Sequence, residues 1–359
     1  MRYARQTVLP ELGEEGQNAF ARAKVLIVGV GGLGSPLALY LAAAGIGELG
    51  LVDADKVGLS NLQRQILFAT PDLGQPKVDI AQERLKALNP EVLTTLYPYF
   101  LDSGNALDTA SHYDIIVDAS DNFETKYLLN DLCVKLSKPL VSGSILKFQG
   151  QAAIFWADHG PCYRCLFPEP PTHAVPNCAE AGVLGALAGV IGSIQALEVM
   201  KLILLQNKLL GDHQSTLIGR FLSFDAGTMQ QSILKVRKDP ACGVCSLRPE
   251  TIALPTLDLS CALPSAVDFE EQWQTYKFID VRSDEEWVRG HIPTAVHWPL
   301  AKIRAGEYPE IHPGATVIYC QSGVRSREAL NLLKAAGFAE VLHLPEGFGN
   351  WGGAVAQGR

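Results

Sequence analysis

Three groups of residues have the types and spacing to do chemistry. The first is the loop Gly29-Val-Gly-Gly-Leu-Gly34, with Asp53, Asp55, Ser60, Asn61, Arg64, Gln65, Lys77, Asp121 and Asn122 following it. Glycines let a backbone turn sharply and approach a phosphate, and a helix N-terminus behind them presents free N–H groups and a positive dipole end. Gly29, Gly31, Gly32 and Gly34 are therefore expected against a phosphate, and Asp53 is placed to accept from ribose hydroxyls. A dinucleotide's pyrophosphate is satisfied by backbone and dipole, so Asn61, Arg64 and Lys77 exceed its needs. Three phosphates, and a charge-rich transition state at an α-phosphorus, do call for such clamps. Asp121, in Ser120-Asp-Asn122 just past a strand pattern, offers a carboxylate for Mg²⁺ beside those phosphates.

The second group is sulfur. Cys162-Tyr-Arg-Cys165 and Cys242-Gly-Val-Cys245 are two CxxC knuckles about 76 residues apart. Four thiolates would close the tetrahedral sphere of Zn²⁺ and leave no position for water, so the site would be structural; redox dithiols or unrelated buried thiols are the competing reading. The third is Cys320-Gln-Ser-Gly-Val-Arg325, between the strand pattern TVIYC and the helix pattern SREALNLLKAAG. A thiol so placed faces backbone N–H groups and a helix dipole, which favours a thiolate or a bound anion, and Arg325 adds a positive charge. Phosphatases of this general design have five residues between Cys and Arg; here there are four, and the tighter loop suits one extra sulfur, a persulfide. Asp280, Arg282, Glu286 and His291 are expected to support the loop rather than react. Cys178, in a Gly/Pro-flanked loop before a long apolar helix, is either a reactive thiol or an inert one, while Cys133 and Cys261 carry no chemical signal.

The elements that must position these groups alternate along the chain. Lys24–Val30 reads as a buried strand leading into the glycine turn and a helix to about Ala44. Glu48–Val52, Asp114–Asp118 and Pro139–Ser142 are further strands, and Lys77–Leu88 and about Asn122–Leu136 are helices. This rhythm predicts an α/β fold with a doubly wound, Rossmann-like and mostly parallel sheet, extended by antiparallel strands near Gln151–Trp156 and Phe221–Val236. The proline-rich run RPETIALPTLDLSCALP breaks the pattern. The division is therefore a nucleotide-binding α/β domain over 1–248, a linker over 249–264 and a small α/β domain over 265–359. In the last, strands are expected near Lys277–Asp280, Ala295–His297, Thr316–Tyr319 and Val341–His343, and no internal repeat is visible.

Composition narrows the class. At 359 residues, 47% hydrophobic and 19% charged, the chain is globular and long enough for two domains. A net charge of -8 with no basic patch argues against nucleic acid or an anionic membrane as partner. No apolar core of signal-peptide length opens the sequence, and the greasiest stretch, Ala181–Leu205, is interrupted by Ser193, Gln195, Glu198 and Lys201, so it reads as a buried helix. A cytoplasmic protein is expected, with its cysteines reduced.

Tyr3-Ala-Arg-Gln6, GVGGLG, VDADKVGLSNLQRQ, GQPK and ASDN occur in order and together resemble the adenylating domain of ubiquitin-activating-type enzymes, closest to the molybdopterin-synthase and thiamin sulfur-carrier activators. The resemblance covers about residues 1–248. It implies ATP and Mg²⁺ as cosubstrates and a symmetric homodimer in which Arg5 reaches the partner's phosphates. It assigns ribose binding to Asp53, phosphate contacts to Asn61, Arg64 and Lys77, and metal or phosphate positioning to Asp121. It also implies Zn²⁺ on the four cysteines and, as substrate, the Gly-Gly tail of a ubiquitin-like sulfur carrier. The Cys320 loop, with Phe278-Ile-Asp-Val-Arg-Ser and Gly290-His-Ile-Pro-Thr-Ala, resembles a rhodanese domain. Together these imply adenylation of the carrier followed by sulfur delivery from a Cys320 persulfide, with thiosulfate or a cysteine desulfurase as donor and Cys178 as a second thiol. Two other readings stand beside it: activation for protein conjugation through a Cys178 thioester, and a non-catalytic nucleotide-binding scaffold.

Overall fold

The computed structural model describes residues 2–170, 182–211, 213–255, 269, 273–312, 316–338, 341–344 and 347–358. They fall into two compact units, one up to residue 255 and one from residue 269. Cys178 and Cys261 lie outside the described residues.

The first unit is built on β1 (Lys24–Val28), β2 (Glu48–Val52), β3 (Leu93–Tyr97), β4 (Ile115–Asp118), β5 (Leu140–Leu146), β6 (Gln149–Phe155), β7 (Arg220–Asp225) and β8 (Gln230–Lys235), in the order β3-β2-β1-β4-β5-β6-β7-β8. The first five are parallel, and β6, β7 and β8 continue antiparallel, as the sequence pattern predicts. Four of the five residues of β1 are buried, as a central parallel strand requires. The strand order reverses between β1 and β4, whose ends align Val28 with Asp118; ligands of open α/β sheets bind in the crevice at such a point.

Four helices matter for the site. α1 (Ala4–Thr7) lies near the N-terminus, α2 (Gly34–Ala44) follows the glycine loop, α3 (Lys77–Leu88) carries Lys77 in its first turn, and α4 (Phe123–Lys135) starts at the Asn122 cap. A fifth, α5 (Gly185–Gln206), is long and apolar enough to cross a membrane. Yet Leu187, Ala188, Ile191, Gln195, Val199, Leu202 and Ile203 are buried in the unit, so it is a core helix, as its polar interruptions predict. Pro249–Thr251 forms a 3-10 turn and Ile252 is buried with Cys162, Cys242 and Cys245. This part of the expected linker packs on the first unit, and Lys135 Nζ donates to the Ile252 carbonyl (2.8 Å).

The second unit is a parallel sheet of β9 (Lys277–Asp280), β10 (Val296–His297), β11 (Thr316–Tyr319) and β12 (Leu342–His343), ordered β10-β9-β11-β12. It buries apolar side chains on both faces: Ile279, Ile318, Leu330 and Leu333 in one cluster, Phe269, Phe278, Val317, Tyr319 and Trp351 in another. Register places Tyr319 beside Asp280, so the residues after β9 and β11, Arg282 and Cys320, emerge at the same sheet end. Helices α6 (Asp284–Arg289) and α7 (Val324–Ala335) start at that end.

Candidate functional site

The glycine loop is as tight as its sequence suggests. Gly29 has a φ of +91°, and a Cβ there would lie 2.8 Å from the Ala119 carbonyl oxygen; at Gly34 a Cβ would lie 2.1 Å from the Gly29 oxygen. Only hydrogens fit, so the loop backbone lies against the Ala119–Ser120 turn that follows β4. Asp53 reinforces it, accepting from Val30 N through Oδ2 (2.9 Å) and from Asp55 N through Oδ1 (2.9 Å).

Lys77 is buried, its Nζ 2.7 Å from Asp55 Oδ2 and 3.9 Å from Asp53 Oδ1. Burial works against its charge, but Asp53 and Asp55 hold its pKa above the ordinary lysine value, with a smaller contribution from Asp121. Burial also pushes the Asp53 carboxyl up to about 6, against the pull of Lys77. Asp53, Asp55, Lys77 and Asp121 thus form one electrostatic group beside the glycine loop. Asn61 caps its own turn, its Oδ1 accepting from Gly58 N (3.0 Å). Arg64 Nη1 donates to the Ser60 carbonyl (3.0 Å), and among the described residues no carboxylate lies within 4.0 Å of its guanidinium. Gln65 is buried near Gly31, with Oε1 unpartnered. Asn122 Oδ1 accepts from Thr125 N (2.8 Å), leaving Asp121 exposed on the turn. Arg5 is exposed on α1, lining a shallow cleft with Tyr40 and Met200.

Sequence reasoning missed the network beneath this turn. Asp118, fully buried at the end of β4, accepts from Lys126 Nζ (2.7 Å), Ser142 Oγ (3.0 Å) and Ser120 Oγ (2.6 Å). Lys126 also donates to the Gly143 carbonyl (2.9 Å), and Gln195 Nε2 from α5 donates to the Asp118 carbonyl (2.8 Å). A lone lysine in a helix reads as solvated surface; the only available signal was an aspartate ending an otherwise apolar strand.

The four knuckle cysteines converge, with all four sulfurs within 4.8 Å of one another. The shorter separations are 3.6 Å for Cys162–Cys242 and 3.5 Å for Cys165–Cys245. Tetrahedral Zn²⁺ with sulfur at about 2.3 Å sets ligand sulfurs about 3.8 Å apart, so the donor set fits. Burial, then the neighbouring thiols, pushes Cys245 up to about 12 and Cys162 higher still, while backbone N–H donors draw Cys242 down although burial opposes it. Such a cluster ionises fully only around a cation. Between the knuckle's cysteines, Arg164 makes a two-pronged pair with Asp131 on α4 (2.8 Å each), and Tyr163 N donates to Asn130 Oδ1 (2.6 Å). Cys133, also on α4, is buried and pushed well up by that burial, which makes it unreactive.

In the second unit Cys320 is fully buried at the end of β11, with Ser326 Oγ 3.4 Å from its sulfur. Gly323 caps α7 with a φ of +90°. The loop is buttressed from behind by Phe348 N on the Cys320 carbonyl (2.7 Å) and Gly349 N on the Gln321 carbonyl (2.8 Å). Gly347 allows this contact, because a Cβ there would lie 2.5 Å from Ser322 N. Arg282 donates to Asp280, to Gln321 Oε1 (2.9 Å) and to the Gly290 carbonyl (2.6 Å). Arg325 forks onto Glu286, 2.7 Å from each oxygen, and that pairing holds the Glu286 carboxyl down at about 2. His343 Nε2 donates to the Gly323 carbonyl (2.8 Å), and burial pushes its pKa down to about 4, so the ring stays neutral. His291 stacks on Trp287 with centroids 3.6 Å apart.

The family model described as ThiF family matches residues 3–244. The chain belongs to the ThiF family. To this ThiF domain it adds a match to a rhodanese-like domain over residues 265–354. A relative in Mycobacterium tuberculosis (strain CDC 1551 / Oshkosh), probable adenylyltransferase/sulfurtransferase MoeZ, is 40% identical across 98% of this chain and 92% of its own length. The sulfur carrier protein adenylyltransferase of Thermus thermophilus is 48% identical over 73% of this chain and 96% of its own. Adenylyltransferase and sulfurtransferase MOCS3 of Drosophila grimshawi is 43% identical over 86% and 72%. Among solved structures, E. coli MccB with ATP shares the fold, with a TM-score of 0.60 at 22% identity over 69% of this chain and 75% of that one. This ThiF–rhodanese chain is an enzyme, an adenylyltransferase and sulfurtransferase.

Proposed function

We propose that the chain is a cytoplasmic enzyme that uses Mg·ATP to adenylate the C-terminal glycine of a ubiquitin-like sulfur carrier and then converts it to a thiocarboxylate with sulfur held on Cys320. The observation that carries this is a single chain whose two domains match, in the same order and over 98% of its length, a relative named for both activities.

In this reading Gly29, Gly31, Gly32 and Gly34 present backbone to the phosphates, and Asp53 accepts from the ribose. Asn61, Arg64 and Lys77 bear the phosphate charge, joined by Arg5 of a second protomer in a homodimer. Asp121 would hold Mg²⁺, whose charge would help neutralise the departing pyrophosphate. Cys162, Cys165, Cys242 and Cys245 hold Zn²⁺, which gives structural closure and no chemistry.

The carrier's glycine carboxylate attacks the α-phosphorus, and pyrophosphate leaves. The terminal sulfur of a Cys320 persulfide attacks the acyl-adenylate carbonyl, and AMP leaves with the electron pair of the broken C–O bond. The product is an acyl disulfide on Cys320. Cys178 thiolate then attacks the Cys320 sulfur, releasing the thiocarboxylate and leaving a Cys178–Cys320 disulfide, which a dithiol reductant resets. Holding both chemistries on one chain makes sulfur delivery local, at an effective concentration of roughly millimolar.

Intact-mass analysis of a Gly-Gly carrier after incubation with the protein, Mg·ATP and a sulfur donor tests this. The expected result is one oxygen replaced by one sulfur, lost in Cys320→Ala. Undiminished thiocarboxylate formation in Cys320→Ala sinks the relay.

A further inference from the structure

We propose that Glu286 is a specificity-determining residue for sulfur loading: by occupying Arg325 it disfavours the dianionic donor thiosulfate relative to persulfides. The inference rests on the reading of Cys320 as the sulfur carrier.

Two guanidinium groups flank the Cys320 loop, and each is already taken by a carboxylate. Arg325 gives both its terminal nitrogens to Glu286, and Glu286 Oε2 also accepts from Ser283 N (3.1 Å) and Ser283 Oγ (3.0 Å). Arg282, buried, lies on the fully buried Asp280. These four fixed charges sum to zero. Among the described residues, what remains for an incoming anion is the loop's backbone N–H groups, the α7 N-terminus, equivalent to about half a positive charge, and Arg327, exposed in the first turn of α7 on the side of His343.

Donor chemistry decides what that small positive potential can support. From thiosulfate, Cys320 thiolate forms a bond to the outer sulfur, the sulfur–sulfur bond breaks, and sulfite leaves with the pair; three negative charges share the transition state. From a persulfide in its protonated form, the thiolate takes the terminal sulfur with its proton, and the donor's inner sulfur leaves as thiolate; one negative charge is shared. Neither transfer needs an outside oxidant or reductant. Because Cys320 is fully buried, the two extra charges of the first route are poorly screened. A purely supporting Glu286 would act on both routes alike.

The test is single-turnover loading of the full chain after cyanide has stripped any carried sulfur. Thiosulfate, free cysteine persulfide and a persulfidated cysteine in a neutral peptide are compared, and gain of one sulfur on Cys320 is read by mass. The native chain is expected to load faster from the persulfides than from thiosulfate. Glu286→Gln is expected to raise thiosulfate loading about tenfold with less than about a twofold change for the persulfides. Glu286→Asp, which keeps the charge, gives no such rise. Preference for the peptide points to a protein-borne donor and preference for free persulfide to a small one; both support the proposal. Equal losses for all donors in Glu286→Gln, or a donor ratio that Glu286→Gln leaves unchanged, overturn it. If no donor loads Cys320 while carrier-dependent pyrophosphate exchange persists, the Cys320 reading itself falls and this inference with it.

Discussion

The glycine loop and the Cys320 loop are both strand–turn–helix junctions at the ends of parallel strands, yet they arrange charge in different ways. Beside the glycine loop Lys77 is buried against Asp53 and Asp55, while Arg64 meets a backbone carbonyl and no carboxylate among the described residues. Around the Cys320 loop Arg282 is paired with Asp280 and Arg325 with Glu286, while Arg327 is exposed in the turn of α7 that follows. A polyphosphate brings several negative charges and needs a cation that is not already neutralised. A single sulfur brings little charge and needs a loop of fixed shape. On the proposed reading the same backbone device serves two chemistries, and the ion pairs around it distinguish them.

Four changes would break or sharpen that contrast. The largest effect is expected from Cys320→Ala, which should abolish sulfur gain by the carrier while pyrophosphate exchange continues; loss of both together would mean that the two loops do not act separately. Next, Lys126→Met leaves the Asp118 charge buried without its partner, and should destabilise the first unit by about 3–5 kcal/mol in denaturant titration. The second unit's transition should stay in place. Lys77→Ala should then lower pyrophosphate exchange by about 10²-fold, with sulfur loading of Cys320 unchanged. Last comes pH. On the proposed reading, in which Asp53 accepts from the ribose in its ionised form, its pKa of about 6 makes nucleotide affinity fall as pH drops through about 6, by up to tenfold per unit. Glu286, held down at about 2, contributes stability that is present above the ordinary glutamate value and lost only as pH falls through about 2. Sulfur loading should therefore show no acid limb from Glu286 near pH 6, and a shared limb in both assays would refute the contrast.

Where the sequence was legible, local spacing did the work. The glycine loop, the head of α3, the paired CxxC knuckles and the Cys320–Arg325 loop all lie in short stretches whose residue types admit few alternatives. β3 escaped notice because Leu93–Tyr97 carries two threonines and half-exposed side chains at a sheet edge, so it lacks a buried apolar run. The Asp118 network escaped for another reason. Its members come from β4, the turn after it, α4, β5 and α5, and only the folded sheet brings Gln195 to a residue 77 positions away. Arg164 likewise looked like filler between two cysteines, yet it ties that knuckle to α4, the helix that begins beside Asp121.

The long apolar helix α5 has a consequence for the chain before it folds. A nascent polypeptide is sorted before its sheet exists, and a segment such as Gly185–Gln206 invites insertion into a bilayer. Lys201 alone would raise the cost of that insertion by up to about 2.5–3.5 kcal/mol near the helix centre, and Glu198 adds to it. Once the sheet forms, Glu198 is buried, pairs with Lys201 and accepts from Leu217 N (2.7 Å). In the folded chain the same two charges form an ion pair that fixes α5 against the segment leading into β7.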